Sequence, residues 1–112
     1  MSQAQEWISI CALTALRPGT GACALVQGKQ LALFRPSKEA TLYALDNIDP
    51  FAQASVLSRG LIAEHDGALW VASPLKKQHF RLSDGHCLEN PDFSITSYPV
   101  RVNGDRVEVA LA

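Results

Sequence analysis

Short apolar runs separated by turn residues make up most of this chain, and few stretches show the spacing of an amphipathic helix. From 107 to 111 every second residue is Val or Leu, with Glu108 and Ala110 between them. This two-residue period predicts a strand with one buried and one solvated face. Similar runs predict β-strands at residues 7–11, 22–26, 31–35, 41–45, 61–64, 69–72, 79–82, 95–102 and 106–111. Many short strands between regular turns predict an all-β fold, an antiparallel sandwich or small barrel.

Three turn sequences predict the hairpins that join these strands. One lies at residues 27–30, a second at Asp66-Gly67 and a third, the strongest, at Asn103-Gly104. Asp-Gly and Asn-Gly tolerate the positive φ angles that a two-residue hairpin turn requires. The outer ends of the Asp66-Gly67 hairpin lead into two loops, so this hairpin should hold those loops together.

The composition indicates one domain that spans residues 1–112. Apolar residues make up 47% and charged residues 19% of the chain, and its net charge is −1. This balanced charge gives no strong attraction to nucleic acid or to a membrane surface. No apolar run approaches the roughly 20 residues needed to span a bilayer, and the N-terminal start lacks the features of a signal peptide. We therefore expect a cytoplasmic protein that binds neither nucleic acid nor membranes.

The three cysteines, Cys11, Cys23 and Cys87, are odd in number and irregularly spaced. A secreted disulfide framework usually has an even number, and a structural zinc site has paired ligands a few residues apart. We expect free thiols. The chain also has no glycine-rich phosphate loop and no dinucleotide-binding fingerprint, so NAD(P)H is not expected to bind here.

Two loops carry the most specific pattern in the chain. Loop 1 (residues 47–60) begins Asn-Ile-Asp-Pro-Phe, and loop 2 (residues 73–85) begins Ser-Pro-Leu-Lys-Lys-Gln-His. Their order, spacing and flanks resemble the two ligand loops of the Rieske ferredoxin domain. That domain carries Cys-Pro-His in the first loop and Cys-Pro-x-His in the second, with two Cys on one iron and two His on the other. The resemblance implies a Rieske-like [2Fe-2S] domain fold.

The four ligand positions of that pattern fall on Asp49, Phe51, Ser73 and Lys76. The Phe ring has no lone pair, and the Lys ammonium donates hydrogen bonds but cannot coordinate a metal. Asp49 and Ser73 offer hard oxygen where an iron–sulfur cluster needs thiolate. We therefore expect the fold without the cluster, and no metal in this chain.

Residues 47–85 contain several short sequence segments that resemble, in the same order, those of the small subunit of the assimilatory-type NAD(P)H-dependent nitrite reductase. The resemblance implies a non-catalytic subunit of a cytoplasmic complex that reduces nitrite to ammonium in nitrate assimilation. Its partner would be a large subunit that carries FAD, sirohaem and a [4Fe-4S] cluster, with no cofactor in this chain. The alternative is a cluster-free adaptor or ligand-binding domain for another oxidoreductase.

Independent catalysis is not expected from the sequence. Asp49 could be a base or a metal ligand, but before a proline it is more typical of a residue that opens a turn. Ser73 lies in Ser-Pro-Leu, which is not the Gly-x-Ser-x-Gly pattern of a hydrolase nucleophile. The three histidines are scattered at positions 65, 79 and 86.

The tips of the two loops are the predicted partner-binding region. Apolar side chains at Phe51 and Leu75 could fill the space that a cluster would occupy, or could form an exposed contact patch. The basic side chains nearby could be merely solvated or could dock a partner. The patch lacks the interleaved aromatic residues of nucleic-acid binding. The candidate partner-binding residues are Pro50, Phe51, Arg59, Leu75, Lys76, Lys77 and His79.

Overall fold

A computed structural model describes residues 6–111, and the N-terminal start considered above lies largely outside that range. The strands are β1 (Ile8–Ala12), β2 (Thr20–Val26), β3 (Lys29–Arg35), β4 (Tyr43–Asp46), β5 (Ile48–Asp49), β6 (Ala54–Ser55), β7 (Leu61–His65), β8 (Ala68–Ala72), β9 (His79–Arg81), β10 (Ser97–Tyr98), β11 (Val100–Asn103) and β12 (Arg106–Val109). The helical segments are three single 3-10 turns at Leu13–Ala15, Leu57–Arg59 and Pro91–Phe93. The all-β prediction is confirmed. Within the described residues, no helix has the length and apolar character that crossing a bilayer requires.

The strands form four antiparallel sheets. Their strand orders are β1-β12-β11, β10-β4-β3-β2, β5-β6 and β7-β8-β9. The last two sheets carry the loops: β5 and β6 lie within loop 1, and loop 2 begins directly after β8 and contains β9. Strand β8 lies between β7 and β9, so loop 2 starts from the central strand of this sheet and returns to pair with it through β9.

All three predicted hairpins form, but only the Asp66-Gly67 turn lies where it was expected. The turn predicted at residues 27–30 is two residues long, because Lys29 and Gln30 belong to β3, and the third turn is shifted by one residue. The β7–β8 turn has φ angles of 51° at Asp66 and 79° at Gly67, and β2 pairs with β3 across Gln27-Gly28. The prediction that the turn consists of Asn103 and Gly104 was wrong, because Asn103 belongs to β11 and pairs with Arg106. The turn therefore falls on Gly104 and the next residue, and glycine at the first turn position supplies the positive φ of 65°.

Two further expectations near the C-terminus need correction. The predicted strand 95–102 is divided at Pro99 into β10, which pairs with β4, and β11, which pairs with β12. Pro99 lacks an N–H for a ladder, while its carbonyl accepts from the Ala110 backbone N–H at 3.0 Å. Ala110 was expected on the solvated face but is buried. The chain leaves the ladder after Val109, so the alternation of the strand ends there.

Strand β3 separates two hydrophobic cores. Leu31 and Leu33 point into one core, while Ala32 and Phe34 point into the other, as alternate residues of a strand must. The second core lies beneath the two loops and contains Cys87. The remaining large members of the second core are Leu45, Leu57, Val71, Phe80, Leu82 and Ile95. All three cysteines carry free thiols, as expected.

Candidate functional site

Loop 1 and loop 2 meet through a buried hydrogen bond. The Ser73 hydroxyl donates to Asp49 Oδ2, and these residues are only 2% and 0% exposed. The β7–β8 hairpin therefore does bring the two loops together. The side chains at the two positions where the Rieske pattern has cysteine are therefore hydrogen-bonded to each other.

The two loops each contain a backbone turn of the same type. In loop 1 the Gln53 N–H donates to the Asp49 carbonyl at 2.7 Å, and in loop 2 the Lys77 N–H donates to the Ser73 carbonyl at 3.1 Å. Each turn ends on a non-glycine residue in the left-handed region, with φ of 53° at Gln53 and 65° at Lys77. Such residues are uncommon outside glycine, so both loops hold a constrained conformation.

The side chain that opens each turn also binds the backbone inside it. Asp49 Oδ1 accepts from the N–H groups of Phe51 at 2.8 Å and Ala52 at 3.2 Å. Ser73 Oγ accepts from the Leu75 N–H at 3.3 Å. Both oxygens of the buried carboxyl group are thus occupied by donors from the two loops. This geometry confirms Asp49 as a turn-opening residue, and its carboxyl group is fully buried.

The middle residues of the two turns have different surroundings. The Phe51 ring packs on Phe93 with centroids 4.7 Å apart and on Phe80 at 6.3 Å, and it is half-buried against the second core. Leu75, at the equivalent position of loop 2, is 55% exposed. Phe51 therefore fills space beneath its loop, whereas Leu75 adds apolar surface to the tip. The neighbouring Pro50 is half-buried as well.

The basic residues of the region divide into two groups. Arg59, Lys76 and Lys77 are exposed, and none takes part in the salt bridges found among residues 6–111. His79 instead contacts Glu89, with Nδ1 2.7 Å from Oε2 and the backbone N–H 2.7 Å from Oε1. Partial burial opposes ionisation of Glu89, but the hydrogen bonds from His79 outweigh it and lower the pKa of this carboxyl group.

A cleft of about 550 Å³ opens beside loop 2. Its lining residues are Arg59, Leu61, Ala72, Ser73, Pro74, Lys77 and His79. Arg59, Lys77 and His79 were among the predicted partner-binding residues and come together here. Leu61 was missed, although it is 77% exposed. Its position directly after the Arg59-Gly60 segment of loop 1 was the only signal in the sequence.

Comparison with known proteins places this arrangement in a family. The sequence model of the Rieske-like [2Fe-2S] domain matches residues 6–110. The chain is 57% identical over 104 residues to the nitrite reductase (NADH) small subunit of Salmonella typhimurium, covering 93% of this chain and 96% of the relative. It is also similar to the NMR structure of NirD from E. coli, with a TM-score of 0.88, 53% identity, and coverage of 95% and 96%.

This chain belongs to the Rieske-like family of nitrite reductase small subunits. The fold and the family that the two loops indicated are thereby confirmed. A third relative is the nitrite reductase [NAD(P)H] large subunit of Klebsiella oxytoca, which is 39% identical over 105 residues. The match covers 94% of this chain but only 11% of that protein. In Klebsiella oxytoca, a segment similar to this small subunit is therefore part of a large-subunit chain.

The residues at the four ligand positions do not fit a [2Fe-2S] cluster. Asp49 and Ser73 are hydrogen-bonded to each other, Phe51 packs between aromatic rings, and Lys76 is an exposed ammonium. A Rieske cluster requires two thiolates and two imidazoles. Among residues 6–111, no group of three or more His, Cys, Asp or Glu side chains is arranged to hold a metal ion.

Proposed function

We propose that residues 1–112 form one Rieske-like domain that serves as the non-catalytic small subunit of a cytoplasmic nitrite reductase (NAD(P)H) complex. The complex would reduce nitrite to ammonium, with the chemistry in a large subunit that carries FAD, sirohaem and a [4Fe-4S] cluster. The observation that carries this proposal is the match to small-subunit relatives over 96% of their length.

The proposed contribution of this chain is to bind, orient or stabilise the large subunit. The geometry of the loops supports a non-catalytic role. The side-chain oxygens of Asp49 and Ser73 make hydrogen bonds within and between the loops. His79, which lines the same cleft as Ser73, is held by Glu89. A nucleophile must be hydrogen-bonded to its general base, whereas the Ser73 hydroxyl donates to the buried Asp49 and makes no hydrogen bond with His79.

The proposed partner-binding region is the end of the molecule that carries the two loops. Lys76 and Leu75 form the exposed tip of loop 2, while Arg59, Lys77 and His79 surround the adjacent cleft. Pro50 and Phe51 support the region from loop 1. The small positive area and the overall charge of −1 favour a protein partner over nucleic acid.

A reconstitution assay tests the proposed function. The large subunit would be purified alone and its nitrite-dependent NADH oxidation measured with increasing amounts of this chain. We expect the rate to rise and to saturate at a fixed subunit ratio, while this chain alone shows no activity. A heat-unfolded sample of the chain is the control. No association and no change in rate, with a large subunit that is fully loaded with its cofactors, would contradict the proposal.

A further inference from the structure

The cleft beside loop 2 combines apolar walls with an uncompensated positive rim. Leu61, Ala72 and Pro74 form its apolar walls. Leu61 is 77% exposed, more than the other large apolar side chains of the described chain. A concave site with apolar walls and a few charged groups at its rim is the common form of a binding site.

The charges at the rim of the cleft favour an acidic partner. Arg59 and Lys77 make no ion pair among the described residues, and no Asp or Glu is among the residues that line the cleft. The cleft thus carries unbalanced positive charge on a chain whose net charge is −1. Complementary potential steers association and selects partners, so the surface that meets this rim should carry Asp or Glu.

The cleft is built on rigid parts of the fold. Gly60 lies so close to β8 that a side chain there would overlap the Ala72 carbonyl and the Val71 side chain. Ser73 is fixed by Asp49, and Lys77 is held by its bond to the Ser73 carbonyl. A preformed groove loses little conformational freedom when it binds. The backbone of the cleft is therefore preformed, and binding needs to order only exposed side chains such as Leu61 and Lys77.

We propose that this cleft receives an acidic surface segment of the large subunit, with an apolar side chain of that segment packed on Leu61 and its carboxylates facing Arg59 and Lys77. The inference rests on the proposed function. The Klebsiella oxytoca large subunit supports this choice of occupant, because a segment similar to this chain is joined there to the rest of the enzyme. Docking through the cleft would also bury the exposed side chain of Leu61.

Binding to the purified, cofactor-loaded large subunit tests the proposal. Leu61→Asp should weaken binding by about tenfold or more, mainly through faster dissociation, as loss of a central apolar anchor does. The matched control is Leu25→Asp, because Leu25 is 71% exposed on β2 in another sheet. The control should change binding by less than about twofold, as expected for a position outside the interface. Circular dichroism and a melting curve verify that both variants fold.

Charge reversal tests the acidic nature of the segment. Arg59→Glu and Lys77→Glu should each slow association about threefold or more at low salt, and the difference should disappear as salt is raised. Lys38→Glu, in an exposed bend between β3 and β4, is the control and should have little effect. Association rates at several ionic strengths give the comparison.

Three results would overturn the inference, and they differ in what they leave standing. Equal binding by wild type, Leu61→Asp and Leu25→Asp would remove the cleft but keep the proposed function. Weaker binding by Leu61→Asp, with both rim reversals unchanged at every salt concentration, would remove the acidic segment as its occupant. Failure of the wild-type chain to bind the loaded large subunit at all would overturn the inference and the proposed function together.

Discussion

Loop 1 and loop 2 contain the same type of turn, but its middle residue has a different structural role in each loop. Both begin with a side chain that binds the backbone two residues later, and both end on a left-handed residue. The middle residue of loop 1, Phe51, packs on two aromatic rings, whereas that of loop 2, Leu75, faces solvent. The shared turn is thus set by hydrogen bonds, and the identity of one side chain decides whether the loop supports the core or the surface.

The hydrogen bond between the Asp49 and Ser73 side chains joins loop 1 to loop 2. In cluster-bearing members of the fold, both loops are held by shared ligation of one cluster. Here a carboxyl group and a hydroxyl group join the same two positions directly. A buried polar pair of this kind is secure only when every donor and acceptor is satisfied, and the N–H groups of Phe51 and Ala52 complete it.

The largest expected effect comes from removing the shared carboxyl group. Asp49→Ala should lower the free energy of unfolding by about 3–5 kcal/mol, because three donors lose their acceptor and relief of the buried carboxylate offsets only part of that loss. Denaturant unfolding followed by circular dichroism gives the value. Asp49→Asn keeps an oxygen for the backbone donors and should lose less than half as much. Equal losses would show that the hydrogen-bond geometry contributes little.

The second prediction compares the middle residues of the two turns. Phe51→Ala should cost about 2–3 kcal/mol, less than the roughly 3–5 kcal/mol of a fully buried phenyl ring, because the ring is half-buried. Leu75→Ala should change stability by no more than about 0.5 kcal/mol, as exposed substitutions do. Unfolding midpoints measured side by side check both values. A Leu75 cost that matches the Phe51 cost would contradict the difference between the loops.

Much of the fold could be predicted because its determinants are local. The Asp66-Gly67 turn and the alternation of the strands depend on backbone preferences that neighbouring residues set. The hairpin turn at Gly104 was misplaced locally by one residue, whereas two other errors near the C-terminus involve contacts between distant segments. The chain passes from one sheet to another at Pro99, and Ala110 is buried beyond the end of the ladder, where its N–H donates to the Pro99 carbonyl. The proline was a local signal against a continuous strand, whereas the burial of Ala110 is not visible in the local pattern.

The candidate site could be predicted in position but not in detail. Turn chemistry placed Asp49 correctly, and the loops were expected to meet. The partner of Asp49 is set by tertiary packing, and so is the contact between Phe51 and Phe93, residues far apart in the chain. Leu61 was missed because an apolar run at a strand start is typical of a buried strand, whereas β7 lies at the edge of its sheet.

The third prediction removes only the loop 2 partner of the buried pair. Ser73→Ala should cost about 1–2 kcal/mol, since Asp49 Oδ2 loses its donor while Oδ1 keeps two backbone N–H groups. In the Asp49→Ala background the same change should cost much less, because the hydroxyl has already lost its acceptor. A double-mutant cycle of unfolding free energies measures this coupling. Additive costs would show that the bond between the loops does not stabilise the fold.

The smallest expected effect is that of a chelator on the melting temperature. The oxygens at two of the four ligand positions bind each other, a packed ring occupies the third and a solvated ammonium the fourth. A metal bound only by the folded state at 100 times its dissociation constant would add about 2.7 kcal/mol. Its removal would then lower the melting temperature by roughly 10 °C, at about 4 °C per kcal/mol for a domain of this size. We expect no such change in excess EDTA at matched ionic strength, and no stoichiometric iron after anaerobic reconstitution with iron and sulfide. A lower melting temperature together with bound iron would show that the folded chain binds a metal and would contradict this expectation.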